Sequence, residues 1–331
     1  MLVLVTGATG FIGSHAVAAL RRDGHDVRIL VRNPDRIAGA LGPHGVSATA
    51  VQGDMTDPVA VAAAVKGCDA VVHAAGEVGV EGGTGPKTTA NVDGVRTVMS
   101  AALDAGLDPI VYTSTITVHL PTDEPIITTD SPLAQPLSSY GASKREAELL
   151  VRGWQAAGAP ITSFTIGGAY GPMSPHLDGS FGAVLAALET FMLVPPGGLG
   201  VVDVRDLATM LAKAVEPGRG PRHYLAGGRY VTWAEWTQAL GAAAGVEVAH
   251  QEVTAAEMID LGRQFDRMRA EGKGSAPLSE EAAIIMTSGV PTDDRSTLAD
   301  LGCTYRPLGE TFADTVGYLR AIGRLAPAPS R

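Results

Sequence analysis

The string Thr6-Gly7-Ala8-Thr9-Gly10-Phe11-Ile12-Gly13, directly behind the apolar run Leu2-Val3-Leu4-Val5, leaves the chain few ways to begin. A short apolar run that breaks at glycine and resumes with helical spacing predicts a buried strand turning tightly into a helix. That helix starts near Phe11 and runs through Leu20. Without side chains, Gly7 and Gly10 let backbone N–H groups close on a pyrophosphate, and the positive end of the helix dipole adds a favourable field. Gly13 lets the helix pack close on the sheet. The glycines are spaced three and three rather than the commoner two and three. It is the strand in front and the helix behind that make this a candidate phosphate cradle, with Thr9, Phe11 and Ile12 inside it.

Composition narrows the partners. The chain has 331 residues and is 45% hydrophobic, enough for one large or two modest domains with a sizeable core. Its formal charge of −10 disfavours nucleic acid and anionic membranes as main partners, so any anion it binds needs a local site. Two cysteines, Cys68 and Cys303, make neither a disulfide framework nor a four-ligand metal site, which points to a reducing compartment. The first apolar run is too short for a signal peptide and lacks a positive leader, and the longest later one, Phe181 to Val194, is broken by Glu189. The expectation is a cytoplasmic protein acting on a small molecule, with a homodimer as a candidate assembly.

Taken in order, the chain alternates. Asp26 to Val31 reads as a second strand ending in Arg32-Asn33-Pro34-Asp35-Arg36. A dinucleotide site that prefers NAD usually has an acid near Arg32 to hold the ribose hydroxyls, so Arg32, with Arg36 one helical turn on, favours NADP(H) over NAD(H). Ser47 to Gln52 is a third strand closed by Gly53-Asp54-Met55. There Asp54 is placed either to accept from an adenine amine or to cap the turn. Asp69 to His73 is a fourth, followed by Ala74-Ala75-Gly76, small residues that let the chain pass close to a flat ligand. His73 sits inside an apolar run and reads as structural. Glu77 to Pro86 is glycine-rich and reads as a mobile loop; Asn91 opens a long helix through Ala105. Ile110 to Thr113 is the fifth strand, running into Ser114-Thr115-Ile116-Thr117.

After a polar loop, Tyr140 and Lys144 stand four apart at the start of a helix. That spacing puts them on one face, where an ammonium can lower a phenol's pKa from about 10 toward neutrality. Ile161 to Ile166 is a sixth strand, and strands alternating with helices to this point predict an α/β fold with a doubly wound parallel sheet. Beyond it, Gly167 to Gly179 reads as loop and Phe181 to Met192 as helix. Val201 to Val204 reads as a strand rejoining the sheet, with a helix from Arg205 to Val215 behind it. Thr232–Ala244, Thr254–Ala270 and Ser279–Thr287 read as helices of a smaller cap, and Ala326–Arg331 as a disordered tail. The division expected is a dinucleotide-binding unit over 1–166, with 201–216 rejoining it, and a substrate-binding cap over 167–325.

These motifs resemble the extended short-chain dehydrogenases/reductases, of the epimerase/dehydratase and dihydroflavonol-reductase-like group. TGATGFIG matches that family's cofactor loop, His73-Ala74-Ala75-Gly76 its fourth-strand signature and Tyr140-Gly141-Ala142-Ser143-Lys144 its Tyr-x-x-x-Lys pair. Ala169-Tyr170-Gly171-Pro172, Asp203-Val204-Arg205-Asp206 and Leu301-Gly302 through Thr315 resemble later segments. The resemblance implies a Rossmann-type sheet and an NAD(P)-dependent oxidoreductase that reduces a ketone or aldehyde. In it Tyr140 is the acid, Lys144 its partner, Thr115 the second hydroxyl (Ser114 its neighbour and runner-up) and Asn91 a support. It also implies cofactor contacts at Thr113 and Ile166, and substrate contacts at Glu77, Thr117, Gly168 and Tyr170. Two departures stand out. Thr165-Ile166 replaces the family's frequent Arg-Pro, and Ile116-Thr117 stands where sugar dehydratases carry Asp-Glu. The competing readings are a nucleotide-sugar epimerase with tightly bound NAD and a nonenzymatic NADP-sensing binder.

Overall fold

The computed structural model describes residues 1–76, 89–136, 139–177, 179–273 and 278–327, and of Ser139 and Tyr140 the backbone alone. The first half alternates as its apolar pattern requires: β1 (Leu2–Thr6), α1 (Phe11–Arg22), β2 (Asp26–Val31), α2 (Arg36–Leu41), β3 (Thr49–Gln52), α3 (Pro58–Val65), β4 (Ala70–His73), α4 (Ala90–Asp104), β5 (Ile110–Thr115), α5 (Ser139–Ala156) and β6 (Ile161–Ile166). A single 3-10 turn, Ile116–His119, follows β5. Strands β4 and β6 are apolar or hydroxyl-bearing except for His73 at the end of β4, and almost wholly buried, as expected of parallel strands covered on both faces. Alternate residues of β1 divide between two cores. Val3 and Val5 pack with Val17 and Leu20 of α1, while Leu4 packs toward Val61 of α3, Val98 of α4 and Val151 of α5.

The second half is β7 (Gly168–Tyr170), α6 (Ser180–Glu189), β8 (Met192–Val194), β9 (Gly198–Asp203), α7 (Val204–Lys213), β10 (Arg222–Ala226), β11 (Arg229–Thr232), α8 (Trp233–Ala244), β12 (His250–Glu252), α9 (Ala255–Ala270), α10 (Glu280–Ser288), α11 (Arg295–Leu301) and α12 (Leu308–Ala321). The central sheet has seven strands in the order β10-β6-β5-β4-β1-β2-β3, with every pair parallel. Helix α7 does return to this layer, where Leu207, Met210 and Leu211 join the core under α1.

Three expectations need correction here. The strand at 201–204 does not rejoin the central sheet: β9 pairs parallel with β7 and antiparallel with β11 in a sheet of its own. The reason lies in glycine. Cβ atoms added at Gly167 and Gly200 would stand 2.0 and 2.1 Å from the carbonyl oxygen of Gly227, so these three backbones cross in contact where side chains would hold them apart. The seventh strand is β10, beside β6. The segment 167–179 is not all loop, since β7 lies inside it, and Met192 opens β8 rather than ending α6. The cap helices start where their side chains can close them. Thr232 with Glu235 and Thr254 with Glu257 form reciprocal capping boxes, and Ser279 accepts from the Ala282 N–H. Between them Trp236, Phe312, Phe181 and Tyr170 form a separate aromatic core. Among the described residues no helix is long and apolar enough to cross a membrane.

Candidate functional site

A cleft of about 430 Å³ opens at the carboxyl edge of β1, β2 and β4, which is where ligands bind in open parallel sheets. Its near wall gathers residues that were scattered along the sequence: Gly7, Thr9, Gly10, Phe11, Ile12 and Gly13 from the first turn, Arg32 and Arg36 after β2, Asp54 and Met55 after β3, and Ala74, Ala75 and Gly76 after β4. The glycines act differently from one another. Gly7 has φ +74°, and a Cβ there would stand 2.6 Å from the Ala74 carbonyl oxygen, so this glycine lets the first turn lie against the chain leaving β4. A Cβ on Gly13 would come within 2.1 Å of the Gly7 oxygen, which shows that Gly13 seats α1 on the turn rather than on the sheet. Gly10 donates its N–H to that same oxygen at 2.9 Å and begins α1 without any side-chain cap. The first turn of α1 carries no acid, so its free N–H groups face the cleft with their positive field uncompensated.

At the outer end, Arg32 is exposed and its Nε lies 3.9 Å from Asp54 Oδ2. Asp54 spends its other oxygen on Thr56, accepting from the backbone N–H at 2.9 Å and the hydroxyl at 2.7 Å. The Thr56 N–H chiefly, with Arg32 adding, holds the Asp54 carboxyl below the usual carboxylate range. Asp54 is therefore both a turn residue and a wall of the cleft. Arg36 makes no ion pair among the described residues and opens α2 toward the same space.

At the inner end the cleft meets α5. A Cβ on Gly76 would stand 2.8 Å from Lys144 Nζ and 3.4 Å from Asn91 Oδ1, so an ammonium and an amide converge on the glycine that ends the near wall. Asn91 is buried on α4 and donates through Nδ2 to Ser143 Oγ at 3.3 Å, which ties α4 to the turn of α5 that carries Lys144. Beneath them His73 bonds Thr6 Oγ1 through Nδ1 at 2.7 Å. Burial, with the Lys144 charge adding, pushes the His73 imidazole down to about 3, so it is neutral and braces the strand ends. Tyr140 occupies the first turn of α5; its side chain lies outside the described residues, as does Glu77.

Several expected residues stand elsewhere. Thr115 ends β5 with Oγ1 3.1 Å from Thr117 Oγ1 and 3.3 Å from the Thr117 N–H, so the two threonines form one hydroxyl pair. Thr113 donates to the His73 carbonyl at 3.3 Å, and Ile166 packs against the sheet core; neither lines the cleft. Thr165, where the family often has arginine, is buried and bonds His223 of β10 at 3.0 Å. Gly168 is a close-packing position, with the Tyr170 ring 3.2 Å from an added Cβ. Tyr170 does not reach a ligand. It is 2% exposed, its hydroxyl accepts from Trp236 Nε1 at 3.2 Å, its ring meets Phe312, and burial pushes its phenol up to about 12. Conversely, His176, Gly179, Ser180 and Phe181 join Ala169, of the Ala169-Tyr170-Gly171-Pro172 motif, as the far wall of the cleft; the sequence over 173–180 reads as a loop ordered by substrate, and its place beside the glycine turn follows from where β7 and α6 carry it.

The profile of the NAD dependent epimerase/dehydratase family matches residues 3–227. A UDP-glucose 4-epimerase of Corynebacterium glutamicum is 29% identical over 246 residues, which cover 67% of this chain and 73% of that protein. The human 3 beta-hydroxysteroid dehydrogenase type 7 is 39% identical over 123 residues, covering 36% of this chain and 33% of that one. The crystal structure of gox2253 superposes with a TM-score of 0.81 at 27% identity, over 98% of this chain and 99% of that chain. The chain spans about half the length, or a third, of the first curated relatives it matches. With a profile match from β1 through β10, the glycine turn and strand ends gathered on one cleft and Lys144 beside Gly76 at its edge, the chain belongs to the NAD dependent epimerase/dehydratase family.

Proposed function

We propose that the protein is a nicotinamide-dependent oxidoreductase that reduces a ketone or aldehyde, with NADP(H) favoured over NAD(H). The observation that carries this reading is the convergence of Lys144 Nζ and Asn91 Oδ1 on Gly76, one helical turn beyond Tyr140. Such a group fits a dinucleotide, because the spaces that Cβ atoms would fill at Gly7, Gly13 and Gly76 are left to backbone and ammonium. When bound, the cofactor supplies the hydride. Lys144 holds its ribose and keeps the neighbouring phenol acidic; Tyr140 gives the proton to the developing alkoxide; Thr115, steadied by Thr117, hydrogen-bonds the same oxygen. Oxidation of NADPH against a panel of carbonyl compounds tests this, and no turnover on any of them would remove it.

Cofactor preference gives a separate measurement. Arg32 and Arg36 on one end of the cleft favour a 2′-phosphate, although Asp54 at 3.9 Å from Arg32 offsets part of that charge. NADPH is expected to bind at least about tenfold more tightly than NADH, a difference of about 1.4 kcal/mol, as one charge-assisted contact provides. Arg32→Asp should reverse the order, and equal affinities by calorimetry would count against the assignment.

A second reading is favoured by the similarity to a UDP-glucose 4-epimerase over two thirds of the chain. An epimerase recycles its cofactor without release. NAD carried through purification in stoichiometric amount would support that reading, and the absence of Asp-Glu after Thr115 disfavours a sugar dehydratase.

A further inference from the structure

The far wall of the cleft has no role in the mechanism above. Of its residues, His176 and Gly179 lie between β7 and α6, and Ser180 and Phe181 open α6. We infer that His176 is a diphosphate-binding residue, its imidazole N–H donating to the pyrophosphate of the bound dinucleotide from the side opposite the glycine turn. This rests on the dinucleotide reading of the cleft. The first support is position: His176 lines the same cleft as Gly7, Gly10 and Phe11, and Phe181 packs edge-on against Phe11 at 5.2 Å, which fixes this wall relative to the start of α1.

The second support is availability. The main chain around His176 is pinned, since its carbonyl accepts from the Ser174 hydroxyl and the Ser174 carbonyl accepts from Tyr318 Oη at 2.7 Å. The ring itself makes no hydrogen bond or ion pair among the described residues. The other side chain on that wall able to donate, Ser180, opens α6.

The third support is charge. Helices α1 and α6 both begin on this cleft, from Gly10 and Gly179, without side-chain caps and without an acid in the first turn. Among the described residues neither first turn holds an acid that competes for a donor on this wall. A diphosphate is the ligand that two such starts and an imidazole suit together. Nucleotide-sugar substrates carry the same group, but the glycine turn shares this wall's cleft, so the cofactor is the source assigned.

The test is calorimetric titration of NAD+, NADP+, adenosine and UDP into the wild type, His176→Ala and His176→Gln. His176→Ala is expected to raise Kd for NAD+ and NADP+ about tenfold, the size of one hydrogen bond to a charged group, and to leave adenosine within about twofold. Adenosine carries no phosphate and reports the base and ribose end alone. His176→Gln, which keeps a neutral donor, should recover most of the loss, which a folding defect would not allow. Unchanged dinucleotide affinity in His176→Ala, or an equal loss for adenosine, overturns the inference. A loss confined to UDP overturns the assignment to the cofactor. A wild type that binds neither dinucleotide would overturn the reading of the cleft, a different failure.

Discussion

Tyr140→Phe is expected to lower turnover on any accepted carbonyl by about 10²-fold or more, the usual size of a lost acid catalyst. Folding and dinucleotide affinity should stay nearly constant, because the change removes one hydroxyl from the first turn of α5 and leaves the ring. Lys144→Ala should behave differently. Its ammonium stands 2.8 Å from where a Cβ of Gly76 would be, beside the glycine that ends the near wall of the cleft, so its loss should weaken dinucleotide binding as well as turnover. Thr115→Ala should cost turnover and leave cofactor binding intact, since Thr115 pairs with Thr117 and does not line the cleft. Ser114→Ala is the control. Ser114 is 4% exposed and its hydroxyl has no hydrogen-bond partner among the described residues, so replacing it should change turnover less than Thr115→Ala does. Steady-state kinetics on a confirmed substrate, paired with calorimetry, separates these patterns, and full activity in Tyr140→Phe would remove Tyr140 as the acid.

How much of this could be read from the chain follows the range of the interactions involved. The six strands through Ile166 are legible because each is an apolar run closed by glycine or a polar turn; Asp26–Val31 and Ile161–Ile166 have the bounds expected of them. The near wall of the cleft is legible for the same reason, since every residue in it follows directly from the end of a strand. Past Ile166 the pattern misleads. Strand β10 is a five-residue element with two charged or polar positions at its start, and only its pairing with β6 identifies it as the seventh central strand. Strand β9 looks like a central strand but cannot join the sheet, because the glycine crossing at Gly167, Gly200 and Gly227 sends it elsewhere. Tyr170 is the clearest case of one residue type admitting two environments. A tyrosine in a Gly-Pro turn reads as a ligand contact, whereas its bond to Trp236 and contact with Phe312 come from helices that lie more than sixty residues away. His176 is the converse case: its stretch, 173–180, reads from the sequence only as a loop ordered by substrate, because a histidine in a loop carries no periodic signal, and its place on the cleft depends on where β7 and α6 carry that loop.

Gly13→Ala is expected to destabilise the protein by about 3 kcal/mol, the upper part of the usual range for forcing an extra carbon into a packed site. It should also weaken dinucleotide binding by about tenfold or more, since one tenfold step is about 1.4 kcal/mol. The added Cβ would stand 2.1 Å from the Gly7 oxygen, 2.6 Å from the Gly7 carbonyl carbon and 3.0 Å from the Ala8 nitrogen. All three are backbone atoms, so no side chain can swing aside, and relief requires α1 to lift from the turn. That movement would break the Gly10 N–H bond to Gly7 and carry the free N–H groups of the first helical turn away from the cleft. Stability and affinity should therefore fall together. Gly39→Ala provides the opposite sign: Gly39 lies inside α2 with nothing within 4 Å of an added Cβ, so alanine there should stabilise by about 0.5–1 kcal/mol through helix propensity alone. Thermal unfolding should show Gly13→Ala melting several degrees below the wild type and Gly39→Ala slightly above it, at roughly 2–4 °C per kcal/mol for a chain of this size. If Gly13→Ala keeps both the melting temperature and the dinucleotide affinity of the wild type, the seating of α1 on the glycine turn is not what shapes the cleft.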